Sequence, residues 1–247
     1  MLQCNVGVIT YFEKNGGIDM EAQTLQTIAH IETDFGTKFG VPRQSGVVTE
    51  LTGRIVFTPP YRNPDALRGI EDFSHLWLVW HFSEVRKEGW NPTVRPPRLG
   101  GNARVGVFAT RSPYRPNPIG LSCVKLERVD WHTPDGPVLV VSGADLMNGT
   151  PIFDIKPYLA YADSLPDAAG GFVAGLTDRS VTVDCDPKLL APLPEETRRS
   201  LLAVLSHDPR PTYQNDPERV YGMVFAGYDV HFTVAEGVLS VVEIDKK

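Results

Sequence analysis

Cysteine is scarce. Cys4, Cys123 and Cys185 are the only three among 247 residues, too few and too scattered for a disulfide framework or a zinc site. Cys123 falls in an alternating run and reads as a small core residue. A reduced, cytoplasmic setting fits. The six histidines show no ligand spacing, so no metal is expected. No apolar run approaches the roughly 20 residues that span a bilayer, which argues against a membrane partner. Residues 1–19 lack a basic stretch followed by an apolar one, so no secretory signal is expected either. GxSxG, GxxxxGK[ST] and HExxH are missing, which counts against a hydrolase or nucleotide enzyme. The GxGxxG fingerprint is missing too, so any cofactor must sit in something other than a doubly wound sheet. An overall positive charge is lacking: the net charge is −6.

The distribution of charge says more than the total. Between Arg86 and Lys125 there are eight Lys or Arg against the single acid Glu88, a net +7 that leaves −13 elsewhere. Trp90, Phe108 and Tyr114 lie in the same block. Basic and aromatic residues together suit an RNA or nucleotide surface.

Residues 106–120, GVFATRSPYRPNPIG, are the centre of that block. Alternation over 105–110 predicts a buried strand. Pro113, Pro116 and Pro118 then remove three backbone donors and fix three φ angles, which ends helix and ladder alike. The result is a stiff loop holding Arg111, Tyr114, Arg115 and Asn117. Planar guanidinium forks in fixed places suit carboxylates, phosphates and flat rings.

At 247 residues the chain could be one large all-β domain or two modest ones. A first strand is expected over 25–31, and a loop ending in Pro42, Arg43 and Gln44 over 35–46. Gln44 can donate and accept at once, as an adenine edge or cofactor amide requires. A hairpin or bent strand turning at Gly53 is expected over 47–57, and a short helix over 63–70. HLWLVWHF (75–82) reads as a strand buried on both faces, ending at Ser83 and Glu84. His75 and His81 read as packed, hydrogen-bonded histidines. NPTVRPPRLGGN (91–102) reads as a long loop, and 121–131 and 138–142 as paired strands. In 143–163, Asp154, Lys156 and Tyr158 at spacing two project to one side, with Phe153, Ile155 and Pro157 on the other. A linker is expected over 164–178. A strand over 180–185, a helix over 194–205, and strands over 221–234 and 238–244 then make a small α+β domain.

Five segments in one order carry a resemblance: FGVPRQSG, GIEDFSHLWLVW, NPTVRPPRLGGN, GVFATRSPYRPNPIG and DLMNGTPIFDIKPYLAYAD. They resemble the TrmO family (TsaA, YaeB or VirR-like), tRNA (adenine-37 N6)-methyltransferases. The likeness is dense over 25–165 and extends through HDPRPTY and GYDVHF. It implies a mainly β fold: a single-sheet β-barrel catalytic domain over 25–165 and the small α+β domain over 166–247. Residues 1–24 have no counterpart, and Met20 offers an alternative start. The resemblance also implies S-adenosylmethionine as cofactor, the anticodon loop of tRNA as partner, and a homodimer with the site near its interface. The acceptor would be N6 of N6-threonylcarbamoyladenosine at position 37 of threonine tRNAs. Cofactor contacts carried over from the family fall on Pro42, Arg43, Gln44, Ser83, Glu84, Arg111, Leu121, Leu146, Met147, Asn148, Gly149 and Thr150. Ser83 replaces the family's usual histidine, Glu84 its frequent glutamine, and Asn148 the aspartate of its DGTP motif; asparagine suits that turn equally well.

Methyl transfer from a sulfonium needs alignment and no metal. The N6 lone pair is delocalised, so an acceptor for its proton would help; Asp154 is the first candidate, then Asp145 and Tyr158. Arg115, Lys156 and Asn117 are candidates for the threonyl carboxylate or a nearby phosphate, Arg111 for the cofactor. Arg95 and Arg98 would follow the RNA backbone. The alternative is a non-catalytic RNA-binding module using the same basic loops, which would have no affinity for S-adenosylmethionine.

Overall fold

A computed structural model describes residues 24–85, 90–96, 99, 102–174, 180–210 and 216–247. Six strands close into a barrel: β1 (Ala29–Glu32), β2 (Thr52–Phe57), β3 (His75–His81), β6 (Ile119–Thr133), β7 (Gly136–Ser142) and β8 (Thr150–Pro157), in the order β1-β2-β7-β6-β3-β8 with β8 returning to β1. All pairings are antiparallel. Alternation along each strand turns Ile31, Ile55, Leu76, Leu78, Val124, Leu139, Val141 and Ile152 inward as one dry core.

Several expectations change. β3 is not buried on both faces: Leu76, Leu78 and Trp80 point in, while His75, Trp77, Val79 and His81 line a half-exposed outer wall. Gly53 is no turn. It lies inside β2, where a Cβ would come within 3.1 Å of Ile31 Cδ1. The expected strand over 105–110 lasts only for β5 (Val105–Gly106), paired with β4 (Thr93–Val94) in the segment expected to be all loop. A 3-10 turn over Val107–Ala109 follows and leaves Phe108 71% exposed. The expected helix over 63–70 is two 3-10 turns, Pro64–Leu67 and Ile70–Asp72. A bulge between Val79 and Trp80 also breaks the spacing of two in β8. Asp154 and Lys156 share the outer wall as expected. Phe153 joins them there instead of facing in with Ile155, its ring 5.8 Å from His81.

After the short helix α1 (Ala160–Asp163) comes a second body: β9 (Thr182–Asp184), α2 (Pro187–Leu190), α3 (Glu195–Ser206), β10 (Tyr221–Phe225), β11 (Tyr228–Ala235) and β12 (Val238–Lys246), with sheet order β10-β11-β12-β9. The single strand expected over 221–234 is a hairpin turning at Ala226 and Gly227, both at positive φ. Its core takes in Phe35, Val48 and Leu51 from the β1–β2 connection. No helix among the described residues is long and apolar enough to cross a membrane.

Candidate active site

An antiparallel barrel gathers alternate connections at one end. Here residues 33–51, 82–118 and 143–149 all leave or enter the same rim. They carry Pro42, Arg43 and Gln44; Ser83, Glu84, Arg95, Arg111, Arg115 and Asn117; and Asp145 through Gly149. Arg98 lies outside the described residues.

Beneath this rim the barrel is polar along one line. Trp80 pairs with Gly120 across β3 and β6, and the indole occupies the space a side chain at 120 would need: a Cβ there would lie 2.2 Å from Trp80 Cε2. Trp80 Nε1 donates to Ser122 Oγ at 2.9 Å, and Ser122 Oγ donates to Asp145 Oδ1 at 2.5 Å. Burial pushes the Asp145 carboxyl above the usual carboxylate range. The Ser122 hydroxyl, nearby backbone N–H groups and the charge of Arg111 offset this in part.

Gln44 and Arg111 meet over this line, Arg111 Nη1 donating to Gln44 Oε1. The Gln44 amide nitrogen donates to its neighbour's carbonyl, Arg43 O. The segment holding Gln44 is fixed on both sides: Cys123 N donates to Ser45 Oγ at 3.1 Å, and Gly46 N to Gly143 O at 2.8 Å. Gly143 has φ 74°, and Gly46, 3.3 Å from where its Cβ would be, leaves no room for a side chain.

The turn over 146–150 is bound to the β1–β2 connection through its backbone. Thr33 Oγ1 donates to Leu146 O at 3.1 Å, and Asn148 N donates to Phe35 O at 2.9 Å. Asn148 Oδ1 accepts from Thr33 N at 3.1 Å, a role an aspartate oxygen fills equally well. Leu146 itself is a core side chain, and Thr150 Oγ1 bonds Met147 O. Among these five, Met147, Asn148 and Gly149 are the ones open to solvent.

Other candidates lie elsewhere. Arg115 turns back on its own loop, Nη1 donating to Thr110 O at 3.2 Å and Ser112 O at 3.4 Å. Asp154 and Lys156 form a half-exposed ion pair of 2.8 Å on the outer wall, beside Val79 and the 54% exposed Leu121. Tyr158 stands at the opposite end of that wall, its ring 5.8 Å from Trp77 and 6.2 Å from His75. His75 Nδ1 has a partner in Ser74 Oγ at 2.9 Å, but His81 Nδ1 has none among the described residues, and burial lowers the His81 pKa. The geometry thus joins Gln44, Arg111 and Asp145, and leaves Asp154, Lys156, Leu121 and Tyr158 on the outside of the same barrel. No group of three or more His, Cys, Asp or Glu among the described residues could hold a metal.

Residues 30–164 match the family model of the tRNA-methyltransferase O N-terminal domain, and residues 181–247 that of the TrmO C-terminal domain. The chain belongs to the TrmO family. It is 40% identical over 236 residues to a tRNA (adenine(37)-N6)-methyltransferase of Escherichia coli K12, covering 92% of this chain and all of that one. A putative S-adenosylmethionine-dependent methyltransferase of Pseudomonas aeruginosa is 38% identical over 217 residues, covering 85% and 91%. A crystal structure of TrmO from Pseudomonas aeruginosa superposes with a TM-score of 0.74 at 30% identity, covering 94% of this chain and all of that one.

Within the TrmO framework, sequence reasoning passed over Trp80, Gly120, Ser45 and Ser122, the residues that aim Asp145 and seat Gln44. One signal was there to find. If β3 and β6 are neighbours in register, the smallest residue of β6 stands opposite one of the two tryptophans of β3.

Proposed function

We propose that the acceptor of this chain is N6-threonylcarbamoyladenosine at position 37 of threonine tRNAs, and that the rim of the barrel holds the S-adenosylmethionine. Family membership makes the chain an S-adenosylmethionine-dependent tRNA (adenine-37 N6)-methyltransferase. The observation that carries the site is the convergence of Gln44, Arg111 and Asp145, drawn from three distant segments to one rim.

These groups fit the cofactor's chemistry. A guanidinium suits its carboxylate, a carboxamide its adenine edge, and a half-buried carboxylate its positive sulfur or ammonium. Bound there, S-adenosylmethionine supplies a methyl carbon made electrophilic by the adjacent sulfonium. The protein aligns the acceptor nitrogen with that carbon, which can contribute roughly 7–11 kcal/mol. Asp145, its proton affinity raised by burial, is suited to accept the N6 proton as the C–N bond forms. Arg95 and the basic rim track the anticodon-loop backbone, and Trp90, Phe108 and Tyr114, all exposed, offer faces for unstacked bases.

Asp154 and Lys156 are placed on the outer wall, so within one protomer they do not face the rim. A homodimer that lays this wall, with its exposed Ile119 and Leu121, across a neighbour's rim would bring them there. Lys156 then meets the threonyl carboxylate and Asp154 becomes the second candidate base.

The test is incubation with isotopically labelled S-adenosylmethionine and total tRNA from a strain lacking this protein, followed by nucleoside mass spectrometry. Label in N6-methyl-N6-threonylcarbamoyladenosine of threonine tRNAs is expected. Label in adenosine 37 of tRNA lacking the threonylcarbamoyl group would overturn the substrate assignment.

A further inference from the structure

The connection over 33–51 carries Gln44 to the rim, yet several of its anchors lie in the C-terminal body. Its first part is held there by Ala226 N donating to Asp34 O at 2.9 Å and by the Phe35 ring packed edge-on against Phe225. Its last part is held by Ser200 Oγ donating to Glu50 O at 2.9 Å. At its apex Gly40, φ +90°, runs so close to Met223 that a Cβ would lie 2.7 Å from the sulfur.

The middle is tied by a hydrogen bond from Arg43 Nη2, which donates to Arg210 O at 2.9 Å. That carbonyl is unusually well fixed. Asp208 follows α3 in the left-handed region, φ 45°, a conformation uncommon outside glycine and, among other residues, most accessible to Asp and Asn. Its carboxylate closes back on Arg210, accepting from Nε at 2.8 Å and Nη2 at 3.0 Å, with both side chains almost fully buried. The turn Asp208-Pro209-Arg210 is therefore a rigid clip whose outward acceptor is the one Arg43 uses. From Arg43 the path continues through Gln44 to Arg111 at the rim.

We propose that the C-terminal body acts as the clamp of the cofactor loop, and that Asp208 and Arg210 are positioning residues for S-adenosylmethionine, acting through Arg43. This rests on the cofactor site proposed above. It assigns the C-terminal body to the cofactor side of the reaction, with tRNA binding left to the basic rim.

The experiment uses the full chain and measures KM for S-adenosylmethionine and for tRNA separately, below the unfolding temperature of each variant. Asp208→Asn keeps the shape and the turn preference but removes the charge that fixes Arg210. It should raise KM for S-adenosylmethionine by about tenfold or more, since small misplacements of a binding group carry penalties of that order. KM for tRNA should stay within about twofold, as no phosphate contact is lost. Arg210→Lys, which keeps a charge partner for Asp208, should show a weaker form of the same split, and it replaces Asp208→Asn if that variant does not fold. Asp208→Ala should add nothing to Arg43→Ala, because both would break one connection. Additive losses, a raised KM for tRNA with that for S-adenosylmethionine unchanged, or no change in either would each overturn the proposal. A wild-type chain that neither binds nor consumes S-adenosylmethionine would remove the functional assignment itself, whereas a working wild type with an unaltered Asp208→Asn removes only the clamp.

Discussion

Arg111 and Gln44 stand 67 positions apart, and a guanidinium N–H of the one donates to the side-chain carbonyl of the other. Two loops that share no strand are thereby locked together over the half-buried Asp145. Lysine at 111 keeps the charge but not the planar fork. Arg111→Lys should weaken S-adenosylmethionine binding by about 1.5–3 kcal/mol, the worth of a charged hydrogen bond, or roughly ten- to a hundredfold in Kd by calorimetry. Unchanged affinity would remove Arg111 from the cofactor site.

Asp145 gives the enzyme a pH signature. With its folded-state pKa raised by burial, the folded protein keeps a proton that the unfolded chain has already released. Asp145 therefore costs nothing below about pH 4, the ordinary aspartate value. It destabilises the fold increasingly as pH rises toward its own higher pKa. Asp145→Asn should accordingly gain Tm relative to wild type as pH rises above about 4, the gain levelling off once the pH passes the raised pKa. Over the same rise in pH wild-type kcat/KM should climb as the carboxyl ionises, and the variant should lose that limb. A wild-type profile flat across this rise would count against Asp145 as the proton acceptor.

Gly120 has no room to grow. A methyl there would overlap the Trp80 indole, and overpacking of this kind costs about 1–3 kcal/mol or more. Gly120→Ala should lower Tm by several degrees and, by moving Trp80 from Ser122, reduce kcat as well. A variant with wild-type Tm would mean that Trp80 can leave the barrel freely.

The Asp154–Lys156 pair is half-exposed, so its loss should change stability by less than about 1 kcal/mol. Asp154→Asn should nonetheless impair turnover if the outer wall completes a neighbour's site. Mixing Asp154→Asn with Asp145→Asn protomers should then restore activity that neither has alone, because some dimers would contain one intact site. Failure of mixing, with both single variants inactive, would place both carboxylates in one protomer's chemistry.

Arg95 is exposed on the basic rim. Arg95→Ala should weaken tRNA binding and flatten the plot of log affinity against log salt by about 0.7 for one lost phosphate contact. Affinity for S-adenosylmethionine should not move. An unaltered slope would remove Arg95 from the RNA path.

Much of this was legible in the residues. Alternation marked 121–131 as a strand, because a period of two needs no knowledge of the partner, but it did not settle which face of β3 or β8 is buried. Proline spacing fixed the stiffness of residues 111–118, because a pyrrolidine ring restricts its own φ wherever it sits. The charge excess between Arg86 and Lys125 is a count. What chain order could not give was adjacency. The bulge that turned Phe153 outward depends on β3 and β8 being paired. The two-residue length of β5 reflects a pairing with β4 that is itself two residues long, and the contact of Asp145 with the inward Ser122, with Asp154 on the outer wall, follows from barrel closure. The tie from Asp208 and Arg210 to Arg43 spans 167 positions from acceptor to donor. Local propensity acts over a few residues. Contacts at that range come into being only when two cores, one inside the barrel and one beneath the C-terminal sheet, are buried together.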